Sequence, residues 1–233
     1  MPELLITRHA QASFGFANYD KLSDLGHKKS VALGLTRSKQ GFIPNRCFTG
    51  YMKRNSETLN GIAKGMGLTR INAEVHQGLK EFDFIALLNS CGNRGKEPIY
   101  QHTCKKTYFK TLRNTVLRWQ KNEITNPPEI LANFSKHFKN NHNSLIKNPA
   151  KIFLALSSGG PINEILTSLL ELPAHHQTNL KLQTKNCSLS PFIFAPNLCY
   201  LHIFNELPHL TNKYNALLSH SKKGETSCRI AAI

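Results

Sequence analysis

The chain has 233 residues, 40% of them hydrophobic, which is enough to bury the core of one large globular domain. No apolar run approaches the ~18 to 20 residues of a membrane span, and Pro2-Glu3 stands where a basic leader segment would begin, so a cytoplasmic protein is expected and a membrane one is not. Thirty Lys and Arg against 14 Asp and Glu give a formal charge of +16, but no helix-turn-helix, zinc-finger or RNA-binding aromatic motif accompanies it, so steering of small anions is favoured over nucleic-acid binding.

Residues 4–7 read as a buried strand that ends in Arg8-His9. Leu22-Ser23-Asp24-Leu25-Gly26 introduces a helix over about 27–40, and residues 46–49 form a second short strand. Leu59, Ile62, Ala63 and Met66 recur at spacings of three and four, which predicts an amphipathic helix over about 56–66. A further helix is expected over 103–121, where Tyr108, Leu112, Thr115, Val116 and Trp119 share a face. Pro127-Pro128 starts another through Ile130, Phe134 and Phe138. Residues 152–156 are the clearest core strand. It runs into Ser157-Ser158-Gly159-Gly160-Pro161, whose proline suits the first turn of a helix to about Glu171. A last strand is expected over 199–204.

Strands alternating with helices indicate an α/β fold, a single-domain three-layer sandwich with a mostly parallel central sheet flanked by helices. The expected domain covers 1–221, with 222–233 as a tail. Between residues 85 and 151 twelve Lys or Arg face three acids, Glu97, Glu123 and Glu129. Residues 85–147 therefore read as a basic, mainly helical insertion over the sheet. The six cysteines are scattered without C-x-x-C spacing and are read as reduced thiols, and His175-His176 is read as a surface loop pair, not a metal site.

A histidine at a strand end can act as a nucleophile toward phosphorus while a neighbouring guanidinium holds the phosphate oxygens. Taken alone, Arg8-His9 reads first as a strand-end pair with no task, and the catalytic reading depends on matching groups later in the chain. Three further pieces follow in order: Arg54 four residues before Thr58, the carboxylates of Glu81 and Asp83 beside Phe82 and Phe84, and the glycine-rich turn from Ser157 to Ile162. In that order they resemble the histidine phosphatase superfamily, the phosphoglycerate-mutase-like fold. Asn186-Cys187-Ser188-Leu189 and the stretch from Phe204 to Leu210 resemble late motifs of one bacterial branch, so the likeness spans nearly the whole chain.

The resemblance implies a phosphomonoesterase with His9 as nucleophile, Arg8 and Arg54 as the phosphate clamp, and Glu81 as the acid that protonates the leaving alcohol, with Asp83 as fallback. Phe82 and Phe84 would desolvate that carboxyl and raise its pKa. Two departures from the family pattern stand out. Ala10 replaces the glycine of Arg-His-Gly, a modest change unless the backbone needs a positive φ there. Ser158 stands where a second histidine is usual, in a Ser-Gly-Gly-Pro-Ile form read as a subtype; its hydroxyl can bind phosphate but brings no charge, which suggests a rate loss of roughly tenfold, or more if the donor acted like an oxyanion-hole group. Auxiliary candidates are Gln11, Ser13, Gly159 and His209, the last as a replacement cation. The resemblance implies no metal and no cofactor, and a small phosphorylated substrate or phosphate anion as partner. The alternatives are a phosphomutase of the phosphoglycerate-mutase type and a catalytically impaired phosphate-binding or interaction protein. Oligomeric state leaves no mark in the sequence.

Overall fold

Alternating side chains in the central strands face two different cores, and this fixes the architecture. The computed structural model describes residues 3–13, 20–91, 105–128, 152–195 and 198–210. Strand β1 (Glu3–Arg8) pairs in parallel with β4 (Ile152–Ser157), placing Leu5 beside Leu154 and Arg8 beside Ser157. Leu4, Ile6, Phe153 and Ala155 pack on one face with Ile162, Ile165 and Leu166 of helix α5 (Gly159–Leu169). Leu5, Leu154 and Leu156 pack on the other face with Leu33 of α1 (Asp24–Lys39) and with Leu59 and Ile62 of α2 (Lys53–Gly65). Each such fully buried aliphatic side chain contributes about 1.5–3 kcal/mol.

The sheet has six strands in the order β3-β2-β4-β1-β5-β6. Strands β2 (Arg46–Thr49) and β3 (Glu74–Val75) continue the parallel set, while β5 (Leu189–Ala195) runs antiparallel to β1 and to β6 (Leu198–Leu201). The expected α/β class, three-layer arrangement and mostly parallel sheet are the ones observed. Helices α1 and α2 approach closely because glycines face the contact: a Cβ on Gly34 would lie 2.1 Å from the Ile62 carbonyl oxygen, and one on Gly61 would lie 1.9 Å from Ser30 Oγ.

A third core joins α3 (Phe84–Ser90) to α4 (Lys105–Gln120) through Leu87, Leu88, Tyr108, Leu112, Val116 and Trp119, with Phe82 beneath them. This is the described part of the insertion expected over 85–147. Helix α6 (Ala174–Gln183) packs against α5.

Several boundaries differ from expectation for local reasons. Helix α1 begins at Asp24 because Ser23 is its N-cap, accepting from Gly26 N at 3.1 Å. Helix α2 begins at Lys53, which brings Arg54 into its first turn. Helix α5 begins at Gly159, with Ser158 as N-cap residue and Pro161 in the first turn. His175-His176 lies in α6 and not in a loop. β3, α3, α6 and β5 were not anticipated, and β6 ends at Leu201 and not at 204. The helix expected after Pro127-Pro128 and the 222–233 tail lie outside the described residues. Cys47, Cys91 and Cys187 are free thiols. Among the described residues no helix is long and apolar enough to cross a membrane.

Candidate active site

The parallel register between β1 and β4 brings the chain segments after both strands together at the carboxyl ends of the central strands. His9 N donates to the Ser157 carbonyl at 2.9 Å, Ala10 N donates to Thr58 Oγ1 at 2.9 Å, and Asn186 Nδ2 donates to the His9 carbonyl at 3.0 Å. The backbone carrying the histidine is therefore held from three elements. Ala10 is fully buried and its φ is not positive, so the methyl group in place of glycine adds no backbone strain.

His9 is 5% exposed. Its Nδ1 lies 2.7 Å from the Ala10 carbonyl, an acceptor only, so Nδ1 carries the proton and Nε2 presents its lone pair. Arg54 Nε donates to Nε2 at 3.1 Å. Burial, and then the charges of Arg54 and Arg8, hold the His9 pKa well below its ordinary value, so the ring is neutral at neutral pH. Arg54 in turn pairs with Asp20, Nη1 to Oδ1 at 3.0 Å, and Asp20 also accepts from Lys53 N at 2.8 Å at the start of α2. Arg8 donates through Nη1 to the Thr184 carbonyl.

Glu81 is buried at the end of the 3-10 turn Gln77–Leu79. Gly160 N donates to its Oε2 at 3.0 Å, while Phe82 N and Lys181 Nζ each donate to Oε1 at 3.3 Å. Glycine at 160 lets Glu81 take this position, since an added Cβ would meet Oε1 at 2.1 Å.

Arg8, His9, Arg54 and Glu81 line one cavity of about 670 Å³. Its remaining wall comes from Phe84, from Tyr108, Lys110, Leu112 and Arg113 of α4, and from residues 181–186. The four groups expected to act together are thus brought together.

The other candidates are placed differently. Ser158 is the N-cap residue of α5, one position before the Gly159 that lies beside Arg8; its Oγ is buried without a hydrogen-bond partner and makes no cap bond. Gly159 lies beside Arg8, 3.7 Å from Cζ to an added Cβ. Gln11 and Ser13 do not line the cavity: the Gln11 carbonyl accepts from Ser23 N and Ser13 Oγ donates to the Leu22 carbonyl, so both serve the start of α1. Asp83 is an exposed N-cap of α3, its Oδ1 accepting from Ile85 N and Ala86 N, and is spent on that helix instead of acting as a second acid. His209 is buried away from the cavity, its pKa pushed down to about 4 by burial and then by Lys29. It is a packed histidine, not a replacement cation.

Lys181 gave no signal in the sequence. It stands on α6, pairs with Glu81, and lies 3.6 Å above the Phe82 ring. Among the described residues no group of three or more His, Cys, Asp or Glu is arranged to hold a metal ion.

A family model described as the histidine phosphatase superfamily (branch 1) matches residues 4–207. No curated protein matches the sequence. Among solved structures the fold is similar to a mycobacterial glucosyl-3-phosphoglycerate phosphatase in complex with inorganic phosphate, at TM-score 0.62 and 18% identity over 91% of this chain and 100% of that one. It is also similar to an Entamoeba histolytica phosphoserine phosphatase in complex with 3-phosphoglyceric acid, at 0.60 and 18% over 91% and 100%. A phosphoglycerate mutase from Bacillus anthracis matches at 0.59 and 14% over 89% and 94%.

Proposed function

Because the chain belongs to the histidine phosphatase superfamily, we propose that it is a phosphomonoesterase that works through a phosphohistidine on His9. The observation that carries this reading is the neutral, Nδ1-protonated His9 facing a cavity shared with Arg8, Arg54 and Glu81. A depressed histidine pKa at such a site keeps the nucleophile unprotonated without a separate base.

The first step forms an Nε2–P bond as the ester P–O bond breaks. Arg54 shifts its Nε–H from His9 Nε2 to a phosphoryl oxygen, uncovering the lone pair, and Arg8 holds a second oxygen. The positive charge that builds on the ring is met by the Ala10 carbonyl at Nδ1. A substrate bound as its phosphate monoanion brings the proton: Glu81, a carboxylate in the resting site, accepts it and passes it to the leaving oxygen, which departs as the alcohol. In the second step water attacks phosphorus, Glu81 takes the proton from that water, and the N–P bond breaks to release inorganic phosphate and neutral His9. The Ser158 hydroxyl, buried with no partner, donates to the same oxyanion when it arrives, and the Ser158 to Ile162 turn marks a subtype of the family. Lys110, Arg113 and Lys185 on the wall favour an anionic substrate. In this reading 1–221 is the domain, and α3 and α4, the described part of the insertion expected over 85–147, cover the site through Phe84, Tyr108, Lys110, Leu112 and Arg113.

The similar phosphatases of mycobacteria and Entamoeba, one named for glucosyl-3-phosphoglycerate and one for phosphoserine, support hydrolysis of a small phosphate ester. The test is turnover of p-nitrophenyl phosphate by the wild type and by His9→Ala. Turnover that vanishes in the variant supports the reading; no turnover, or turnover independent of His9, overturns it. Incubation with a phosphoglycerate, followed by product analysis, separates release of phosphate from its return to a second hydroxyl.

A further inference from the structure

Beyond Arg8 and Arg54 the cavity is lined by Lys110, Arg113, Lys181 and Lys185, and of these four Lys181 is the one paired with Glu81. Lys181 Nζ is 3.3 Å from Glu81 Oε1 and 3.6 Å above the Phe82 ring. Its stem passes beside the turn at the start of α5, where a Cβ on Gly159 would lie 3.1 Å from Lys181 Cγ and 3.7 Å from Arg8 Cζ. Lys181 and Arg8 therefore flank the same point of backbone, one residue after Ser158. An ammonium has three N–H donors. Glu81 takes one and the ring face of Phe82 a second, which leaves the third for an anion in the cavity that Lys181 lines.

We propose that Lys181 is a phosphate-binding residue whose ammonium, braced between Glu81 and Phe82, supplies the positive charge that the Ser158 turn lacks. The proposal rests on the reading of this cavity as a phosphoryl site. Ser158 can offer one neutral hydrogen bond; a charge must come from elsewhere, and His209 is not in the cavity. Among the lining residues Glu81 is the single carboxylate against Arg8, Arg54, Lys110, Arg113, Lys181 and Lys185. A phosphoryl dianion entering between these cations relieves their mutual repulsion.

The electrostatics of Lys181 agree with the geometry. Burial lowers its pKa to about 8, Glu81 opposes the shift, and Arg8 and Arg54 add to it. The ammonium form, and with it the contribution to anion binding, is present below pH 8 and is lost as pH rises through that value.

The experiment measures binding of inorganic phosphate by calorimetry to the full chain as wild type, Lys181→Met and Lys181→Arg, each also carrying His9→Ala so that binding is read without turnover. Lys181→Met is expected to weaken phosphate binding about tenfold or more, while Lys181→Arg stays within about threefold. Between pH 7 and 9 the affinity of the lysine protein relative to the arginine protein is expected to fall through about pH 8. This ratio cancels the ionisation of phosphate itself, and it reads the proposal even where Lys181→Met does not fold. Affinity unchanged in Lys181→Met, an equal loss in Lys181→Arg, or a flat ratio overturns the assignment. Lysine-dependent phosphate binding without turnover in the His9 protein overturns the esterase reading alone; His9-dependent turnover with phosphate binding indifferent to Lys181 overturns this proposal alone.

Discussion

Gly160→Ala separates the proton donor from the fold. An alanine Cβ at this position would lie 2.1 Å from Glu81 Oε1, 3.0 Å from Glu81 Cδ and 3.2 Å from Phe82 Cε1. A tolerable carbon–oxygen contact is about 3.3 Å, so the carboxylate must retreat by about 1.2 Å. That motion also breaks the 3.0 Å bond from Gly160 N to Oε2. Displacing a catalytic group by about 1 Å can cost about 100-fold in rate. The helix itself gains, because Gly160 lies in α5 with no positive φ, and alanine is favoured over glycine in a helix by roughly 0.5–1 kcal/mol. The carboxylate is the movable end of a side chain, so the melting temperature is expected to stay close to that of the wild type.

The assay compares kcat/KM for two substrates. An alkyl phosphate needs its leaving oxygen protonated, whereas p-nitrophenolate leaves as an anion. Loss of the positioned acid is expected to cost about 100-fold on the alkyl ester and roughly tenfold or less on the aryl ester. Equal losses on both, or an alkyl loss under about threefold in a folded variant, would refute the assignment of Glu81 as proton donor.

Two further outcomes are expected. Ser158→Ala removes a buried hydroxyl that has no hydrogen-bond partner, so stability should hold or rise while phosphate affinity falls about tenfold; unchanged affinity in a calorimetric titration would take Ser158 out of the phosphate site. His209 bears on stability instead, because its unfolded form takes up a proton below about pH 6.5 and its folded form only near pH 4. Stability present at neutral pH is therefore lost as pH falls through that window, by about 2 kcal/mol at pH 5. His209→Phe should shrink the difference between urea unfolding at pH 7.5 and pH 5 by about that amount, and an undiminished difference would contradict the buried, neutral state of His209.

Much of the site was legible because its groups sit at the ends of apolar runs. Arg8 ends β1 and His9 follows it, Arg54 opens the helix after β2, and the Ser158 turn follows β4, so parallel strands carry all three to the carboxyl end of the sheet. Lys181 was not legible because it meets Glu81 across 100 positions of sequence, on a helix with no apolar stripe to announce it. β5 was hidden for a different reason: Ser190 and Pro191 interrupt its apolar pattern, although the strand pairs with β1 from Glu3 to Thr7. Gln11 and Ser13 show the opposite error. They neighbour His9 in sequence, but the chain turns there toward α1, and Ser23 N claims the Gln11 carbonyl at 2.9 Å.

The nucleophile can be tested without knowing the natural substrate. The wild type and His9→Ala are mixed with a phosphate ester labelled on phosphorus, quenched in alkaline denaturant within one turnover, and assayed for label bound to protein. The wild type is expected to carry an acid-labile, base-stable label on the peptide containing His9, and His9→Ala none. Label retained in His9→Ala, or turnover by the wild type with no label at His9, would contradict the phosphohistidine.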